Sequence, residues 1–98
     1  MNRNQLCRDL LRCVCPGEPI KHTIPNSNGD GHILCMGIFD EENNGLVSGN
    51  TFYPTLNQFT THNYTEFRPD RRPGNNAWSE CKIYRDNQWI SMYDLPEL

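Results

Sequence analysis

Alanine occurs once in this chain of 98 residues, whereas asparagine occurs twelve times and glycine and proline seven times each. Alanine is the best helix former, while asparagine, glycine and proline favour turns and interrupt helices. A chain of this composition disfavours long helices, and it has many positions at which strands can reverse direction. We therefore expect short strands and turns in a single domain that comprises residues 1–98.

One segment near the beginning of the chain has helical periodicity. Leu6, Leu10 and Val14 recur at intervals of four residues, and charged side chains lie between them. A helix cannot continue through Pro16, which follows. The pattern predicts a helix over residues 4–14 whose apolar stripe packs on a sheet.

The rest of the chain has the pattern of strands separated by turn residues. Residues 32–39 are apolar at both alternating positions, which is typical of a central strand covered on both faces. Threonine and aromatic residues at 59–67 favour a half-exposed strand. The other predicted strands comprise residues 20–24, 46–53, 78–85 and 88–93, of which the last two form a hairpin. These elements predict an α+β fold with one N-terminal helix packed on a mostly antiparallel sheet of about five strands.

The net charge and the distribution of apolar residues argue against several partners and locations. The formal net charge is −3, and nucleic-acid-binding domains usually carry a basic field, so we do not expect a nucleic-acid partner. No run of apolar residues is long enough to span a bilayer, so we expect no membrane association. The first residues lack the apolar stretch of a secretory signal, and we therefore expect a cytoplasmic protein.

The chain contains five cysteines, an odd number that cannot pair completely within one molecule. In a reducing compartment cysteines are mostly buried apolar side chains, and we expect this state rather than two disulfides. The alternative is a zinc site, since Cys13, Cys15, His22, His32 and Cys35 lie within 23 residues. Their spacing differs from the usual closed Cys/His patterns, so we predict neither a metal ion nor another cofactor.

The sequence has no local catalytic motif. Cys35 or Cys81 could act as a nucleophile with His62, but such a nucleophile needs a base that is itself held in orientation, and no signature indicates one. We therefore expect a protein that is not an enzyme. A small hydrolase that uses cysteine or histidine remains an alternative.

Residues 68–76 predict an irregular loop with two prolines and three arginines. Such loops are uncommon in compact domains and often carry function. Nine aromatic residues lie after position 50, and Trp, Tyr and Arg are the residues that anchor protein interfaces. The alternative is that the arginines only pair with nearby carboxylates. The predicted binding residues are Phe67, Arg68, Arg71, Arg72, Asn75, Asn76, Trp78 and Trp89.

A further pattern extends from Gly37 to Trp89. Its members are Gly37-Ile38, Asp40-Glu41, Gly45, the segment Pro-Gly-Asn-Asn-Ala-Trp-Ser-Glu-Cys at 73–81, and Trp89. This order resembles the second half of a C-type lectin-like domain, in which such a loop and strand help to bind a calcium ion and a sugar. The resemblance implies Asn75, Asn76 and Glu80 as ligands. The chain departs from the family in having no cysteine after Trp89 and Trp-Ile-Ser in place of Trp-Asn-Asp.

Together these observations predict a small non-enzymatic protein-interaction module, an inhibitor or adaptor of the kind that viruses and mobile elements encode. We expect its partner to be another protein, bound by the loop at 68–76 and the hairpin that follows. Guanidinium groups and tryptophan suit a partner with an acidic or aromatic patch. The alternative partner is a carbohydrate, bound by a lectin-like domain.

Overall fold

A computed structural model describes residues 9–26, 29–71 and 77–98. Within these ranges the chain forms six strands and three α-helices. The strands are β1 (Pro19–Pro25), β2 (His32–Asp40), β3 (Gly45–Ser48), β4 (Thr51–Tyr53), β5 (Cys81–Arg85) and β6 (Gln88–Ser91). The helices are α1 (Leu10–Cys13), α2 (Leu56–Phe67) and α3 (Ala77–Glu80), and a 3-10 turn follows at Met92–Asp94.

All neighbouring strands are antiparallel, and the sheet order is β4-β3-β2-β1-β5-β6. The prediction of an α+β fold with an antiparallel sheet is therefore confirmed, but the sheet has six strands rather than five. The hairpin of β5 and β6 turns at Asp86 and Asn87, whose φ angles of 55° and 65° fit a type I′ turn. Its first strand begins at Cys81, later than predicted, because Trp78 belongs to α3.

The first helix differs from the predicted one, which covered residues 4–14. Asp9 has extended backbone angles and its carboxylate accepts a hydrogen bond from Leu11 N–H at 3.1 Å. An N-cap with this geometry begins a helix, so α1 starts at Leu10 and comprises only four residues. Residues 4–8 of the prediction lie outside the described ranges. Leu10 and Val14 are buried, as the periodicity predicted.

The principal helix of the fold is α2, in the middle of the chain, so the predictions of one N-terminal helix and of a strand at 59–67 are both wrong. Thr55 caps this helix by accepting a hydrogen bond from Gln58 N–H at 3.1 Å. The buried residues of α2 follow the helical spacing i, i+3, i+4, i+7, i+8. They are Leu56, Phe59, Thr60, Asn63 and Tyr64. Burial of this stripe outweighs the weak β-propensity of threonine and aromatic residues.

The hydrophobic core lies on one face of the sheet, between the strands and α2. β2 is central, as predicted, but it is not covered on both faces. Cys35 and Phe39 are buried in the core, whereas Leu34, Met36 and Ile38 on the opposite face are 58%, 37% and 45% exposed. The described helices together cover one face only, and none of them is long and apolar enough to cross a membrane. We call the uncovered side the open face.

Candidate functional site

The predicted binding residues that the structure describes do not form one cluster. Phe67 ends α2 on the core side of the sheet and is exposed, whereas Trp78 is half-buried against the core. Trp89 lies in β6 on the open face, opposite Tyr84. Arg71 is exposed. The remaining loop candidates, Arg72, Asn75 and Asn76, lie outside the described residues.

The Arg68 guanidinium group is hydrogen-bonded to the Asp70 carboxylate and also to the backbone carbonyl of Pro25. Its Nε and Nη2 donate to the two carboxylate oxygens of Asp70 at 2.9 and 2.8 Å, and its Nη1 donates to the carbonyl of Pro25 at 2.6 Å. The guanidinium group lowers the pKa of Asp70 to about 2 by hydrogen bonding. Only 13% of the Arg68 side chain remains exposed, so this residue ties the end of α2 to β1.

The open face carries an apolar row to which each of the six strands contributes one side chain. In sheet order the row consists of Phe52, Val47, Ile38, Pro19, Tyr84 and Trp89. The rings of Tyr84 and Trp89 meet edge to face, with centroids 5.1 Å apart. Met36 and Leu34 extend the apolar surface along β2. Antiparallel sheets that face water usually present polar side chains there, so this surface is unusual.

The chain has two lysines, and both lie on the open face beside the apolar row. Lys21 and Lys82 are directly opposite each other in the β1–β5 pair. The Lys21 ammonium lies 4.3 Å from the centroid of the Trp89 ring. All twelve acidic side chains are within the described ranges, and none forms an ion pair with either lysine. The open face therefore carries two cations without counterions from the chain itself.

A buried polar network occupies the other face of the sheet. The side chain of His22 has no exposed surface; its Nδ1 accepts from Asn63 Nδ2 at 3.1 Å, which leaves the proton on Nε2, 3.1 Å from Glu80 Oε1. The Tyr64 hydroxyl donates to the same Glu80 oxygen at 2.8 Å. Burial lowers the pKa of His22, and burial together with the Glu80 hydrogen bond raises the pKa of Tyr64 to about 12. The network joins β1, α2 and α3, and His22 cannot reach a substrate.

The lectin-like resemblance implied three ligands, of which Glu80 is described. Its Oε1 already accepts from Tyr64 and approaches His22. Asn75 and Asn76, the other implied ligands, lie outside the described residues. Among the residues that are described, no group of three or more His, Cys, Asp or Glu side chains is placed to hold a metal ion.

Among the described cysteines, Cys15, Cys35 and Cys81 are free thiols. Cys13, Cys35 and Cys81 are buried, and Cys15 is exposed. Burial raises the pKa of both Cys35 and Cys81, so these thiols are protonated at neutral pH. This state is the opposite of the activation that the alternative of a cysteine hydrolase requires.

Most residues of the open face, including Lys21, Ile38 and Tyr84, were not predicted from the sequence as binding residues. The available signal was the apolar character of residues 32–39 at both alternating positions. We interpreted it as burial on both faces, whereas one of the two sets is exposed. Comparisons with protein-family models, with curated proteins and with solved structures find no match for this chain.

Proposed function

We propose that this protein is a binding module that holds another protein against the open face of its sheet. The observation that supports this proposal is the apolar row, which crosses the whole sheet and whose members Ile38, Phe52 and Tyr84 are all exposed. Monomeric proteins rarely expose a contiguous apolar surface of this extent unless it serves an interaction. Tyrosine and tryptophan at one end of the row are also residues that anchor interfaces.

The two lysines define the chemistry of the partner. Lys21 and Lys82 add positive charge to the middle of an apolar surface, and no carboxylate of the chain pairs with them. A partner with an apolar patch that contains Asp or Glu would supply the missing counterions. Such charge complementarity favours correct orientation and fast association.

A second copy of this chain fits the face less well. Two-fold packing of one open face on another would enclose four ammonium groups in a single interface, and desolvation of unpaired charges is costly. A nucleic acid also fits less well. The aliphatic side chains of Pro19, Ile38 and Val47 offer no ring for base stacking, and the net charge of −3 repels phosphates at long range.

The proposed function is of the class predicted from the sequence, an inhibitor or adaptor that binds a protein. The proposed binding surface differs from the predicted one, because it is the open face of the sheet. Of the residues predicted from the sequence, Trp89 belongs to the open face. The loop at 68–76 stays a prediction as a binding segment. No observation on the described residues favours the carbohydrate alternative.

Zero-length cross-linking with a carbodiimide tests the proposal, because it joins lysine amines directly to carboxylates. The chain carries its only lysines on the open face. After affinity capture from the native cells, we expect cross-links between Lys21 or Lys82 and an Asp or Glu of the captured protein. Cross-links that join only two copies of this chain, or that avoid both lysines, would contradict the proposal.

Two matched variants complete the experiment. Ile38 on the open face and Leu11 on α1 are 45% and 46% exposed, so replacement of either by serine removes a similar apolar surface. Ile38→Ser should weaken capture of the cross-linked protein at least tenfold, and Leu11→Ser should leave it unchanged. Equal capture by both variants, at equal thermal stability, would exclude the open face as the interface.

A further inference from the structure

One edge of strand β2 is unpaired over part of its length. Phe39 N–H donates to the carbonyl of Glu18 at 3.3 Å, and the Phe39 carbonyl accepts from Gly17 N–H at 3.1 Å, so its backbone groups face the β1 side. Because these directions alternate along a strand, the even-numbered residues of β2 face the other edge. The Ser48 hydroxyl confirms this direction, since it donates to the Met36 carbonyl at 2.6 Å.

β3 covers only the end of this edge. Its register with β2 extends from Ile38 to Asp40, and no strand in the described ranges pairs with β2 on that side before Ile38. The N–H and carbonyl of Leu34 and the N–H of Met36 therefore face a position that an additional strand could occupy. Exposed strand edges of this kind accept extended peptides through main-chain hydrogen bonds.

A groove lies beside this unpaired edge, with α2 as its opposite wall. It encloses about 290 Å³. The residues that line it come from β2, from the β3–β4 hairpin and from the C-terminal half of α2. Leu34 and Met36 border the groove at the edge of β2, Phe67 supplies an apolar side chain from α2, and hydrogen-bonding groups come from Ser48, Thr51 and His62. The groove thus places side-chain contacts next to free main-chain donors and acceptors.

The charged group in the lining of the groove is acidic. Glu66 is half-exposed on α2, and the lining contains neither lysine nor arginine. The Nδ1 of its neighbour His62 is hydrogen-bonded to the Tyr53 hydroxyl at 2.6 Å, and the Nε2 of His62 lies 4.0 Å from Glu66 Oε2. The Tyr53 hydrogen bond therefore holds the His62 ring beside the carboxylate. A ligand with a basic side chain would complement this wall.

We propose that the groove between β2 and α2 is a second binding site, distinct from the apolar row of the open face, that takes an extended peptide with a lysine or arginine. The peptide adds a short strand along residues 34–36 of β2. Its main chain bonds to Leu34 and Met36, and its basic side chain crosses the groove to the Glu66 carboxylate. Main-chain pairing supplies affinity, and Glu66 supplies the preference for a basic residue.

A random nonapeptide library displayed on phage is the probe for this site. The library is selected on the intact protein and counter-selected on the Glu66→Arg variant. We expect the enriched peptides to share one lysine or arginine at a fixed position. Synthetic copies should shift the backbone amide signals of Leu34 and Met36 in a nitrogen-15 correlation spectrum. Absence of enrichment, or shifts confined to other parts of the chain, would overturn the proposal.

Two further measurements separate strand addition from a nonspecific charge effect. Glu66→Gln should weaken binding of the selected peptide at least tenfold, and Glu41→Gln, which changes an exposed acid in a distant turn, should not. N-methylation of the peptide backbone should abolish binding at alternate positions only, because successive residues of a strand direct their N–H groups to opposite sides. Equal tolerance of N-methylation at all positions would exclude an added strand.

Discussion

At the scale of single residues, the His22 side chain connects three elements of the fold. It lies in β1 and is fully buried, and its two ring nitrogens contact Asn63 of α2 and Glu80 of α3. Both contacts suit the neutral ring with its proton on Nε2. Protonation of Nδ1 would place two donors, this nitrogen and the Asn63 amide, against each other. The burial of His22 therefore makes folding sensitive to pH.

The first prediction concerns this pH dependence. Burial lowers the pKa of His22 below its ordinary value of 6.5, so the unfolded chain takes up a proton that the folded chain excludes. The free energy of unfolding should therefore be retained above that value and fall as the pH decreases below it. Urea denaturation at several pH values measures this slope. His22→Gln should flatten it, and His32→Gln, at an exposed position, should not. An equal slope in both variants would contradict the assignment.

Arg85 provides the second prediction at this scale. Its Nε and Nη2 donate to the two oxygens of Glu18 at 2.9 and 2.6 Å, and Nη2 also donates to the Cys13 carbonyl at 2.9 Å. Lysine keeps the charge but cannot form this fork, so Arg85→Lys should lower the free energy of unfolding by about 1–2 kcal/mol. Arg12→Lys is the control, because the Arg12–Glu97 pair is exposed. A similar loss in both variants, measured by urea denaturation, would refute the argument.

Among the elements, α2 marks the limit of what the sequence predicted. The β5–β6 hairpin was predictable because Asp86 and Asn87 tolerate the positive φ angles of its turn. The segment that forms α2 contains threonine and aromatic residues, and local propensity alone favoured a strand. The helical signal was present in Thr55, a good N-cap, and in the spacing of Leu56, Phe59 and Tyr64. To predict this helix from the sequence, the helical spacing of its apolar residues has to be given more weight than their β-propensity.

The third prediction tests the start of α2. Thr55 Oγ1 accepts the hydrogen bond of Gln58 N–H, which has no carbonyl partner within the helix. Thr55→Ala should therefore lower the free energy of unfolding by about 0.5–2 kcal/mol. Thr55→Ser retains the hydroxyl and should remain close to the parent protein. Chemical denaturation followed by circular dichroism measures both variants. Equal stability of the alanine and serine variants would mean that the cap does not contribute.

For the whole molecule, the candidate site could not be derived from the sequence because it depends on which face of the sheet α2 covers. Residues 32–39 supply apolar side chains to both faces, so the alternation does not distinguish core from surface. The loop prediction relied on arginines, but Arg68 is engaged by Asp70 and Pro25. The proximity of Lys21 and Lys82, which are far apart in the sequence, arises only from the pairing of β1 with β5.

The last prediction concerns this lysine pair, for which stability and binding should change in opposite directions. Like charges directly opposite each other in an antiparallel pair are destabilising, and opposite charges are stabilising. Lys82→Glu places a carboxylate opposite Lys21 and should raise the free energy of unfolding by about 0.5–1 kcal/mol at low ionic strength. The same variant should weaken binding of an acidic partner at least tenfold. Lys82→Gln should give intermediate values for both.

Urea denaturation and titration of the cross-linked partner measure the two effects on the same preparations. A more stable variant that no longer binds would mean that the unfavourable pair of lysines serves recognition rather than folding. A less stable Lys82→Glu variant would contradict the electrostatic argument, because the sheet would then depend on Lys82 for another reason, such as packing of its aliphatic chain. Unchanged binding would contradict the proposed function, since a carboxylate at the centre of the open face should repel an acidic partner.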